Sequence, residues 1–244
     1  AMGTPLRGYE AGASISGLPA SGEGAPLAAS DIIEIKLTDS QGIYLVTSHN
    51  PTAATIHLNR SPDFEDGDVG VICNPEHTAI FQITAVSTGN NIQHYSSQPS
   101  MNCTKLLGAP RPTVCGANKG VQYQFAEDAV VFKVRTYFYY VGLAGDLVSP
   151  ALFRAELVPK GGLSLEIDEP TELIRGVENF QVQYGIDSDG DNAADSYANA
   201  AGVADWDQVL SVRFSLVLRS QSDNVLDGAQ SYVLEGTTVT PDDR

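Results

Sequence analysis

The chain is short of positive charge: 14 Lys and Arg stand against 30 Asp and Glu in 244 residues, a formal net charge of −16. Nucleic-acid binding needs a basic face, and membrane-surface binding needs a polybasic patch, so the balance argues against both. Long apolar runs are missing, and nothing approaches the roughly 18 apolar residues of a membrane-spanning helix. Cysteine is scarce, at Cys73, Cys103 and Cys115, and no CxxC pair occurs, so zinc and thioredoxin motifs have no support. At most one internal disulfide can form. The spacings suit a loop staple in an oxidising compartment, with three buried thiols as the alternative. The four histidines, His49, His57, His77 and His94, show no HxH or HExxH spacing and read as surface or satisfied side chains. No GxSxG elbow, Walker loop or GxGxxG is present. Glu166 and Asp168 are an acidic pair of the kind that flanks a glycosidic bond, but such pairs are usually solvated faces. We therefore expect no catalytic residues and no enzyme.

What is present is apolar material, 42% of the chain, arranged with period two. Ile33, Ile35 and Leu37 alternate with Glu34 and Lys36. Phe81, Ile83 and Ala85 alternate with Gln82 and Thr84. Val130, Phe132, Val134, Phe138 and Tyr140 share a face opposite Lys133 and Arg135. Phe180, Val182, Tyr184 and Ile186 oppose Asn179, Gln181 and Gln183. Leu210, Val212, Phe214, Leu216 and Leu218 oppose Ser211, Arg213, Ser215 and Arg219. Such strands bury one face and wet the other, which predicts antiparallel sheet. The fold class expected is α+β, mainly β here. Helical periodicity is confined to a short stretch near Ala194–Ala201. Residues 1–2 (Ala1-Met2) read as a vector scar left by tag cleavage, residues 3–30 as loop, and 31–244 as one β-rich domain. The run Tyr137-Phe-Tyr-Tyr140 splits between two faces. Core packing explains it, with a ligand-stacking platform as the sharper alternative.

The sharpest local feature is DSDGDNAAD at 187–195. Asp187, Asp189, Asp191 and Asp195 occupy loop positions 1, 3, 5 and 9, and Ala193 at position 7 offers its backbone carbonyl. Ca²⁺ takes six to eight oxygens at about 2.3–2.6 Å, which alternating Asp in a tight loop can supply. The loop departs from an EF-hand: Gly190 is at position 4, Asn192 holds position 6, and Ala198 stands where a bidentate Glu belongs. Asn tolerates the left-handed region that position 6 requires. Asp205 and Asp207 are the nearest sources of a further ligand. A solvated acidic turn is the plainer reading, opposed by like-charge crowding.

The stretch ELIRGVENFQVQYGIDSDGD (172–191) resembles the C-terminal signature of PilW, a minor pilin of type IV pili. The resemblance continues through Asp195-Ser-Tyr197, Trp206 and VRFSLVLRS (212–220). It is dense over 171–220. Patchier echoes lie at GDVGVIC (67–73), AIFQIT (79–84), Tyr139-Tyr140 and Leu152-Phe-Arg154, and Arg7-Gly8-Tyr9 echoes the end of the family's N-terminal helix. The resemblance implies a pilin-like globular head of antiparallel sheets whose N-terminal hydrophobic helix is truncated. It implies a structural role, similar to that of the related pseudopilin GspJ of type II secretion: joining other minor pilins and pilus subunits in a complex that primes assembly and caps the tip, with a tip adhesin as a further partner. Before assembly such a protein sits in the bacterial inner membrane and periplasm through its helix, and afterwards in the extracellular pilus. The family also implies that Cys73 pairs with Cys103, leaving Cys115 free or as an alternative partner of Cys103, and that the last residues, Asp242-Asp243-Arg244, stop short of a final strand. A calcium-dependent surface adhesin or binding module of an unrelated β-rich family is the rival reading.

Overall fold

The computed structural model describes residues 4–39, 42–220, 231–234 and 236–240. Ala1-Met2 and Asp242-Asp243-Arg244 lie outside the described residues. In chain order the strands are β1 (Leu6–Tyr9), β2 (Ile32–Thr38), β3 (Tyr44–Asn50), β4 (Thr55–Leu58), β5 (Val69–Cys73), β6 (Thr78–Gln82), β7 (Ala85–Ser87), β8 (Asn91–Gln93) and β9 (Val130–Leu143). They continue with β10 (Pro150–Pro159), β11 (Leu165–Ile167), β12 (Thr171–Arg175), β13 (Val177–Ile186), β14 (Ser196–Ala198), β15 (Val209–Leu218), β16 (Tyr232–Leu234) and β17 (Thr237–Val239). The registered pairings are antiparallel. Among the described residues the helical content is two single 3-10 turns, Ala200–Gly202 and Trp206–Gln208. This is the mainly β, antiparallel architecture that the period-two patterning predicts. No helix of the described residues is long and apolar enough to cross a membrane.

The chain forms two compact units, one of Lys36–Thr136 with Leu157–Asp168 and one of Thr4–Ile35, Tyr137–Glu156 and Glu169–Arg244. In the first, strands follow the order β7-β8-β4-β3-β9-β5-β6. Tyr44, Ile56, Ile72, Phe81, Phe125 and Val131 close its core. Here β9 lies between β3 and β5 and covers neither face fully. Val131, not Val130 or Phe132, is the buried residue, contrary to the parity of the sequence pattern. Lys133 reaches buried Asp68 at 2.7 Å, so the polar row of β9 is only partly wet.

Strand β3 escaped the patterning because a bulge between Val46 and Ser48 switches its inward residues from Tyr44 and Val46 to His49. Of the two expected states, surface or satisfied, His49 and His94 take neither a surface place nor a ligand role: they are buried against each other, with Nε2 atoms 3.2 Å apart, and His49 also accepts from the Phe125 N–H. Sequence spacing could not pair residues 45 positions apart.

The disulfide expectation is corrected. Cys103 bonds Cys115, with Cα atoms 4.5 Å apart, and Cys73 is a free, half-buried thiol in β5. The resemblance implied Cys73 with Cys103 and kept Cys115 as an alternative partner of Cys103, and it is the alternative bond that forms. The intervening loop folds back on itself, with the Gly116 N–H donating to the Cys103 carbonyl at 2.8 Å, and this brings the two sulfurs together.

The second unit holds β1 on β2, β12 on β10, and the sheet β14-β13-β15. Leu6–Tyr9 is therefore a strand, and not the helix end that Arg7-Gly8-Tyr9 echoes: its four residues pair with Ile32–Ile35. The helix expected near Ala194–Ala201 is replaced by β14 and a 3-10 turn capped by the Asn199 side chain. Phe138 and Tyr140 are buried, as their shared face predicts, while Tyr137 lies under the Arg154 guanidinium. The core gathers Ile33, Val141, Val177, Val182 and Tyr184. The Tyr184 ring meets Trp206 edge-on at 4.8 Å between centroids.

Gly8 makes that packing possible. A Cβ there would stand 2.1 Å from the Tyr184 hydroxyl and 2.4 Å from the ring carbon bearing it. Gly8→Ala should therefore destabilise the fold by roughly 1–3 kcal/mol, the usual range for overpacking. Urea unfolding followed by Trp206 fluorescence measures it, and an unchanged midpoint would show that the ring can move aside.

Candidate metal loop

Strand β13 ends at Ile186 and the chain returns at Ser196, so the acidic loop is a closed excursion from one edge of that strand. Two backbone bonds tie its base: the Asp187 N–H donates to the Gln208 carbonyl, and the Asp195 N–H to the Ile186 carbonyl, both at 2.9 Å. Gly185 lets the exit pack down. A Cβ there would meet Ser211 Oγ at 2.2 Å, the Ala194 methyl at 2.9 Å and the Tyr197 ring at 3.1 Å.

Inside the loop the carboxylates act first as turn-formers. Buried Asp187 accepts from the N–H groups of Gly190 (2.7 Å) and Asn192 (2.9 Å). Asp189 accepts from the Asp191 N–H, and Asp191 from the Ala193 N–H. Asp195 accepts from the hydroxyl and N–H of Ser188, which hold its carboxyl below the usual carboxylate range. Gly190 and Asn192 take positive φ, 82° and 67°, so Asn192 adopts the left-handed geometry that position 6 asks for.

The structure brings Asp187, Asp189 and Asp195 together, with ligand oxygens within 4.8 Å of one another. Two oxygens on opposite sides of one Ca²⁺ are about 4.6–5.2 Å apart, so the three oxygens are close enough to share one ion and supply three of the six to eight donors that Ca²⁺ takes. Asp191 is not in the cluster and is spent on the Ala193 N–H. Asp205 caps the 3-10 turn through the Asp207 N–H, and neither joins the cluster. Asp168 pairs with Lys160 at 3.7 Å on an exposed surface.

Residues 138–244 match the family model described as Type IV Pilus-assembly protein W, PilW. The match takes in β12 to β15, the acidic loop and the segments at 139–140 and 152–154. The echoes at 67–73 and 79–84 fall outside it. No match was found among the curated proteins or the solved structures.

Proposed function

We propose that this chain is the head of a minor pilin of the type IV pilus, a structural subunit that works by contact and performs no chemistry. The single observation that carries this is the family-model match over 138–244, which falls on the unit holding β13–β15 and the acidic loop. The family's role in type IV pilus assembly supports interaction with other assembly components and association with the cell envelope or pilus. In the finer reading, the head joins other minor pilins in a GspJ-like complex that primes assembly and caps the tip. An apolar helix N-terminal to the head holds it in the inner membrane beforehand. Ca²⁺, held by Asp187, Asp189 and Asp195, supplies the positive charge that lets three carboxylates converge and fastens the end of β13 to the segment leading into β15.

The test is a pull-down with this chain immobilised and the other minor-pilin heads offered singly and together. Retention of at least one is expected. Retention of none, alongside calcium-dependent capture of an unrelated surface ligand, replaces the pilin reading with that of a calcium-dependent adhesin.

A further inference from the structure

Residues 77–126 hold Lys105, Arg111 and Lys119 and no Asp or Glu, in a chain where acids outnumber bases 30 to 14. Elsewhere among the described residues the cations are largely taken. Five meet carboxylates, as Lys133 meets Asp68, and four lie over aromatic rings, as Arg213 lies over Tyr197. Lys105 is half-buried and donates to the Thr52 carbonyl at 2.7 Å. The Arg111 and Lys119 side chains are exposed and meet no carboxylate, ring or carbonyl among the described residues. They are also neighbours. Gly120 takes φ 94°, and a Cβ there would stand 3.0 Å from Pro112 Cδ, so the chain at 119–120 runs against the chain at 111–112.

The segment that carries them is held in shape. The Cys103–Cys115 bond closes it, the Lys119 N–H donates to the Gly116 carbonyl at 3.0 Å, and the Gly108 N–H donates to the Val121 carbonyl at 3.0 Å. At its foot His77 Nε2 lies 2.7 Å from the Leu107 carbonyl, and Glu76 approaches the Tyr123 hydroxyl, not the two cations. Val114 and Val121, 68% and 48% exposed, share the loop's surface with them. A pre-ordered loop gives up little chain entropy on docking, and cations set beside apolar side chains suit a carboxylate-bearing protein face. An acidic partner is repelled by most of a −16 chain, and this loop is where the repulsion gives way. Screening over about 8 Å at physiological salt lets the local sign decide. Between copies of this chain the loop would meet an unlike face, a contact that repeats without closing into a pair. A different protein needs only the complementarity of charge. We infer that the Cys103–Cys115 loop is a docking knob through which Arg111 and Lys119 engage an acidic face on another subunit of the assembly. The inference rests on the pilus reading for which proteins bear that face.

Titration of each retained minor-pilin head against the immobilised chain tests it. Arg111→Glu combined with Lys119→Glu should raise the Kd of at least one head by about tenfold or more. The melting temperature should not change, because neither side chain has a partner to lose. Raising sodium chloride from about 0.05 to about 0.5 M should weaken the parent and leave the double variant nearly unaltered. Lys160→Glu makes the same change of charge as Arg111→Glu alone, at an exposed site already paired with Asp168, and should leave the Kd as it was. A retained head that is indifferent to the double reversal, or that is weakened as much by Lys160→Glu as by Arg111→Glu, overturns the docking knob and leaves the pilus reading intact. A parent that retains only its own copies, or nothing, overturns both.

Discussion

Lowering the pH from 7 to 5 is expected to cost the fold about 4 kcal/mol, roughly 2 from each of His49 and His94. The Phe125 N–H donates to His49 Nδ1 at 3.1 Å, so the proton of neutral His49 sits on Nε2. That Nε2–H points at His94 Nε2, 3.2 Å away, which places the His94 proton on Nδ1. His94 Nδ1 is buried without a partner among the described residues. Neither ring has room for a second proton: on His49 it would face the Phe125 N–H, and on His94 it would face the His49 N–H. Burial holds both rings neutral, well below the ordinary 6.5. A charge on His49 lowers His94 further, its backbone bond acts in the opposite sense, and Lys105 adds a smaller lowering.

The sign follows from those depressed values. Above about pH 6.5 both rings are neutral folded or unfolded, and the stability is intact. Below it the unfolded chain takes up protons that the folded chain refuses, so stability falls by up to about 1.4 kcal/mol per pH unit per ring. The loss continues until the folded rings themselves titrate. Urea unfolding at pH 7 and pH 5 measures the difference, and His94→Leu should roughly halve it. Imidazole proton resonances that titrate near 6.5 in the folded protein, with equal stability at the two pH values, would contradict the argument.

The histidine pair also shows where sequence reading stops. Strands β2, β6, β9, β13 and β15 are visible as strands from alternation alone, although their faces are not all as the pattern predicts: Gln82 and Thr84, read as the wet face of 79–86, are buried, and Leu37 of the β2 row is exposed. Strand β3 is not, because its bulge breaks the alternation. Strand β14 is not, because three residues held by Tyr197 lying across Gly185 carry no pattern of their own. The faces were legible only where one neighbour decides burial. Val131 is buried by β9 being central, and the β15 row is exposed by β15 being an edge; neither position is written in a local pattern. In the acidic loop, composition pointed to the site, and Asn192 showed its left-handed turn. Which carboxylates converge depended on the path of the loop, since all of them accept backbone N–H groups and only Asp187, Asp189 and Asp195 also face one another, while Asp191 and Asp205 serve turns alone. For the cysteines, three positions left the pairing to the path of the loop between Cys103 and Cys115.

Calcium is expected to raise the melting temperature of the chain, with a gain of about 2.7 kcal/mol when the ion stands near 100 times its dissociation constant. Asp187, Asp189 and Asp195 converge to within 4.8 Å, and without a cation their charges repel. Asp187→Ala is the obvious variant and a poor one. Its buried carboxylate holds the N–H groups of Gly190 and Asn192, so removal should cost about 1–3 kcal/mol with or without the ion. Asp189→Asn separates the two roles. An asparagine side-chain oxygen can still accept from the Asp191 N–H, while the charge facing the cation is gone. The expected result is a calcium-dependent rise in the parent that Asp189→Asn abolishes, with the chelated melting temperatures of the two equal or slightly higher for the variant as repulsion is relieved. Magnesium, which keeps its waters and a tighter octahedron, should give little of the rise. If parent melts in calcium and in chelator coincide, the three carboxylates are held together by Gly190, Asn192, Asp191 and Ser188 alone, and the loop is a turn fastened by its own side chains.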